Sequence, residues 1–69
     1  MFEVGDRVEF NYKGLVGEGV IRKVKKSFLF GNRYLITAIV TRHYSYGVRN
    51  TAEECFLIKE KDVLGKIIQ

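Results

Sequence analysis

The chain contains no proline, no tryptophan, one cysteine and one histidine among its 69 residues. With no proline, no low-complexity linker and no repeat, no internal boundary is visible, and residues 1–69 read as one domain. A lone Cys55 cannot form an internal disulfide, which suits a reducing compartment and makes the cytoplasm the expected location. One His and one Cys fall short of the roughly four ligands of a structural metal site. No metal and no other cofactor is therefore expected. Cys55 lies amid Glu53, Glu54 and Phe56, the wrong setting for a nucleophilic thiolate, so it reads as a buried structural residue. The glycines do not form the G-x-x-x-x-G-K-S/T arrangement of a phosphate loop. No catalytic residue emerges, and the chain does not read as an enzyme.

Long apolar runs are missing as well. Nothing approaches the ~18 residues of a membrane span, and no basic, apolar, small-residue series opens the chain. No membrane partner and no secretory signal are expected. Nor is there an amphipathic stretch long enough for an ordinary helix.

Negative charge is absent from the middle of the chain. Residues 1–18 hold two bases and four acids, and residues 53–69 hold three bases and four acids. Between them, residues 19–52 hold Arg22, Lys23, Lys25, Lys26, Arg33, Arg42 and Arg49 and no acid. A solvated surface ordinarily mixes its signs, so this block points to an anionic partner. Folding could cancel the field by bringing Glu18, Glu53 and Glu54 beside these bases.

What the chain does contain is strand pattern. Val8, Phe10 and Tyr12 alternate with Glu9 and Asn11, the period of a half-buried strand. Gly14, Gly17 and Gly19 read as a turn. The segment VIRKVKKSFLF resumes as a long strand in which Ile21 and Val24 fall out of alternation, and a bulge near Arg22 and Lys23 would bring both inward. Gly31-Asn32, between FLF and RYLI, predicts a tight hairpin. RYLITAIVT is apolar on both faces and is expected to be central with cover on both sides. ECFLIKE is the next strand candidate. The charged residues 59–62 suggest one short helical turn before a closing strand around Gly65.

The residues VGDRVEF and KGLVGEGVIRKV resemble the opening of SH3-like small barrels of the KOW and Tudor-like kind. A Gly-Asp pair there starts the first strand and a glycine-bearing loop enters the second. More weakly, YLI and LIKEKDVLG extend the resemblance along the chain toward the RNA-polymerase-interacting domain of CarD-type transcription regulators. It implies an all-β fold, a single five-stranded SH3-like barrel with at most one short helical turn near the C-terminus. Such a barrel removes exposed sheet edges. It also implies contacts with RNA, DNA, ribosome, RNA polymerase or peptide, although fold alone does not choose among them. The hairpin and loop of residues 27–50 are longer and more aromatic than a minimal KOW unit, and without tryptophan no Tudor-style aromatic cage can be assigned.

Two segments carry the candidate chemistry. In RKVKK, strict alternation puts Arg22 and Lys26 on one side and Lys23 and Lys25 on the other, and either pair suits phosphate contact. In TRHYSYGVRN, Arg42, Tyr44 and Tyr46 share one side of an extended segment, with His43 and Ser45 on the other. Tyr beside Arg suits base stacking, and equally suits a protein interface or closure of the barrel end. The expected face thus comprises Arg22, Lys23, Lys25, Lys26, Arg33, Arg42, His43, Tyr44, Tyr46 and Arg49. Its expected partner is nucleic acid or a nucleoprotein machine such as ribosome or RNA polymerase. The alternative is an adaptor or inhibitor docking on an acidic protein surface, because carboxylate arrays ask for the same cations.

Overall fold

The computed structural model describes residues 2–43, 47 and 49–68, with the backbone alone for residues 41–43. Five strands form one antiparallel sheet: β1 (Arg7–Tyr12), β2 (Leu15–Lys25), β3 (Arg33–His43), β4 (Arg49–Lys59) and β5 (Val63–Lys66). A 3-10 turn, Glu60–Asp62, precedes β5. The strand order is β4-β3-β2-β1-β5. No helix among the described residues is long and apolar enough to cross a membrane.

The sheet curls upon itself. β1 and β4 stand three places apart, which in a flat sheet means about 14 Å at the usual strand spacing. Yet the rings of Phe10 on β1 and Phe56 on β4 lie 5.5 Å apart, and those of Tyr12 and Phe56 4.9 Å. The all-β, five-stranded, barrel-like architecture with one short helical turn near its C-terminal end is what the sequence pattern implied.

Alternation fills the interior. Val8 and Phe10 of β1, Ile21 of β2, Tyr34, Ile36 and Ala38 of β3, Ile58 of β4 and Val63 of β5 are buried. Phe2, Val24 and Phe56 pack against them. A bulge between Ile21 and Lys23 shifts the β2–β3 register by one residue. It turns both Ile21 and Val24 inward, as their spacing suggested, and leaves Arg22, Lys23 and Lys25 exposed together. The two-sided split of these bases expected from strict alternation is thereby undone.

The Gly5-Asp6 pair works as a latch. Gly5 takes φ +95°, its N–H donates to Ile21 O at 2.8 Å, and Ile21 N–H donates back to Asp6 O at 2.9 Å. The Asp6 carboxylate accepts the Glu3 N–H at 2.9 Å and meets Lys66 Nζ at 3.3 Å. These contacts, the Glu3 backbone bond foremost, hold its pKa below the ordinary carboxylate value.

Several local readings are corrected. The β1–β2 connection is a two-residue hairpin at Lys13-Gly14, φ +52° and +85°, the signature of a type I′ turn. Gly17 and Gly19 lie inside β2 rather than in a turn. No tight hairpin forms at Gly31-Asn32: β2 ends at Lys25, and residues 26–32 make a longer loop. Its turn is set by Ser27, whose Oγ accepts the Phe30 N–H at 3.2 Å and whose carbonyl accepts the Gly31 N–H at 3.1 Å.

The other two corrections concern faces. β3 lies between β4 and β2 only as far as Thr37 and is covered on one side, since Ile39 on its outer face is exposed. Cys55 is exposed rather than buried, because Phe56 and Ile58 take the inner face of β4. A thiol reagent should accordingly label Cys55 in the native protein as fast as in urea; labelling that requires unfolding would contradict this placement.

β2 divides its partners. Up to Val20 it pairs with β1, and from Val20 onward with β3. Beyond Thr37, β3 pairs only with β4, in unbroken register to His43↔Arg49. The β3–β4 hairpin therefore overhangs the barrel. This accounts for a radius of gyration of 13.3 Å and a long dimension of 47 Å, against the ~11 Å radius typical of a compact chain this size.

Candidate functional site

Strand register assembles a row of cations that lie far apart in sequence. Lys25 of β2 is opposite Arg33 of β3, and Arg33 is opposite Lys59 of β4. Direct cross-strand partners project to the same face about 5 Å apart, and like charges so placed repel. Ion pairs join Arg7 to Glu18 at 3.8 Å and Lys66 to Asp6 at 3.3 Å. Neither acid touches the row. Glu18, which could have cancelled the central charge, is thus turned toward β1.

The next rung is Lys23↔Leu35↔Leu57. Leu57 is exposed and Leu35 half-buried, so an apolar strip borders the cations. Arg22, the bulged residue, donates from Nε to Thr37 Oγ1 at 2.9 Å and is fixed on the same face. Lys26 follows Lys25 at the start of the loop and is exposed.

At the other edge of the row the loop presents Phe28, Leu29 and Phe30 to solvent. The Arg33 guanidinium lies 5.6 Å from the centre of the Phe30 ring, within the range of a cation–π contact. Arg33 Nε is shut away from solvent without an acceptor. The base of the loop is pinned where Glu60 N–H donates to Asn32 O at 3.1 Å, beside Lys59.

The sequence-derived residues therefore separate into two groups. Arg22, Lys23, Lys25, Lys26 and Arg33 gather at the loop end of the sheet. Arg42 and His43 pair with Asn50 and Arg49 at the far end of the hairpin, roughly 30 Å from Arg33 at the usual rise per residue. Leu35, Thr37 and Ile39 on β3, and Leu57, Cys55 and Glu53 on β4, intervene on the outer face. Tyr44 and Tyr46 lie outside the described residues. Lys59, Phe28 and Phe30 were not among the sequence candidates. Alternation with Leu57 and Ile58 gave the face of Lys59 but not its neighbours, whereas Ser27 and Gly31 flanking the aromatic run were a readable turn signal.

A concave feature lies between the β1–β2 hairpin and the overhanging part of β3. It is a groove of about 580 Å³ with Tyr12, Leu15, Val16, Ile39 and Phe56 among its walls. Among the described residues no group of His, Cys, Asp and Glu could hold a metal. No family model, no curated protein and no solved structure matches the chain.

Proposed function

We propose that the protein is a non-catalytic binding module whose β2–β3–β4 outer face holds the backbone of a nucleic acid, free or within a nucleoprotein machine such as the ribosome or RNA polymerase. The observation that carries this reading is the row Lys25, Arg33 and Lys59, three cations in direct register with no acid among them. Such a row weakens the sheet by self-repulsion, and a phosphate chain laid across it relieves that repulsion while releasing counterions. The contacts position a backbone and carry no sequence information. An exposed free thiol suits the reducing cytoplasm.

Docking on an acidic protein surface is the second reading. One observation favours it: the strip Leu35–Leu57 sets apolar area directly against charge, as protein interfaces do.

Binding titrated against salt separates the two. Wild type should bind single-stranded DNA, RNA or duplex with an affinity that falls steeply as salt rises. Lys25→Ala and Lys59→Ala should each lower the slope of log K against log salt by about 0.7 on a single strand or 0.9 on duplex. Absence of binding to every probe at low salt would remove the nucleic-acid reading.

A further inference from the structure

Phe28, Leu29 and Phe30 are 103, 80 and 70% exposed, in a class of surface where large apolar residues ordinarily stand singly. Their display is built in rather than loose. Both the Phe30 and Gly31 N–H groups are bonded to Ser27, and the Asn32 carbonyl is bonded to the 3-10 turn. Loop and cation row meet at Arg33, whose guanidinium sits 5.6 Å from the Phe30 ring.

That proximity sets an exposed ring beside a cation of the row. The matching ligand has flat apolar faces and anionic groups within a few ångströms of one another, as a nucleotide does. Faces buried in a duplex stack are closed to a protruding ring, whereas unpaired bases offer them.

Resting on the reading above, we propose that Phe28 and Phe30 stack unpaired bases, and that the ligand is single-stranded nucleic acid whose backbone follows Lys25, Arg33 and Lys59. The loop supplies affinity through base faces; the row supplies it through phosphates. Stacking of this kind tolerates any base sequence.

The test measures anisotropy of a labelled single strand, as DNA and as RNA, and of its duplex, with wild type, the Phe28→Ala/Phe30→Ala double variant and Phe30→Trp. The alanine variant should lose roughly 5- to 150-fold in single-strand affinity per base unstacked. Its salt slope, duplex affinity and melting temperature should match wild type, since the rings contribute little to the core. Phe30→Trp should keep its affinity and, as the chain has no other tryptophan, show indole emission quenched on binding. Equal single-strand and duplex affinity, unmoved by the alanine variant, would overturn the inference while leaving the phosphate-binding reading intact. No binding to any oligonucleotide would overturn both. So would Phe-dependent binding to phosphatidylserine vesicles by a protein that ignores oligonucleotides.

Discussion

Tyr34→Ala is expected to remove most of the stability of the fold. Tyr34 is fully buried and is held at three points. Its ring meets Phe2 edge-on at 5.8 Å, its hydroxyl accepts the Phe2 N–H at 3.4 Å, and the same hydroxyl donates to Glu60 Oε1 at 3.1 Å. One side chain on β3 thus joins the segment before β1 to the turn before β5. Truncating a buried aromatic costs about 3–5 kcal/mol, while a domain of this length has only about 3–10 kcal/mol in total. Thermal unfolding followed by circular dichroism should show the variant largely unfolded or melting tens of degrees early. Tyr34→Phe keeps the ring and should lose only about 1 kcal/mol, or about 4–8 °C. An alanine variant melting within a few degrees of wild type would disprove the role of Tyr34 as the central tie.

Gly19→Ala is expected to be the most costly of the small substitutions. A Cβ at Gly19 would lie 2.6 Å from Ile36 Cγ2, 2.6 Å from the Thr37 carbonyl oxygen and 3.2 Å from Ala38 Cβ. The carbonyl belongs to the backbone of β3 and cannot swing aside, so the strands must part at the point where β2 changes partners. Overpacking of this kind costs about 1–3 kcal/mol, occasionally more, and the upper end is expected here. Two other glycines calibrate the result. At Gly17 the added carbon would meet the Phe10 ring at 3.3 Å, a contact the ring can relax, and at Gly65 nothing lies within 4 Å. Urea midpoints should fall in the order Gly65→Ala, Gly17→Ala, Gly19→Ala. A Gly19→Ala midpoint equal to that of Gly65→Ala would show that the strands are not held so closely.

What the sequence disclosed and what it concealed follow from the range of the interactions. The bulge at Arg22 was legible because Ile21 and Val24, both needed inside, are spaced for neither alternation nor a helix. The 3-10 turn was legible because residues 59–62 are charged between apolar strands. Lys13 gave no sign of the tight hairpin, since lysine carries no preference for positive φ. Phe28 and Phe30 have strand-forming side chains, which masked the turn signal of Ser27 and Gly31. Cys55 was misplaced because its apolar character outweighed the alternation that Phe56 and Ile58 impose. The basic block was visible as composition. Its arrangement was not, because Lys25, Arg33 and Lys59 become neighbours only through pairing across three strands.

The order of pairing in the sheet also bears on how the chain folds. The β1–β2 and β3–β4 hairpins join residues close in sequence, so each can zip from its own turn at small entropic cost. β1 and β5 instead pair Val8 with Lys66, bringing together segments separated by nearly the whole chain. Closing so long a loop is compensated only when the intervening strands are already in place. The β1–β5 seam is therefore the late step, and substitutions at Val63 should speed unfolding more than they slow folding. The long β3–β4 register, by contrast, is where an early nucleus can grow.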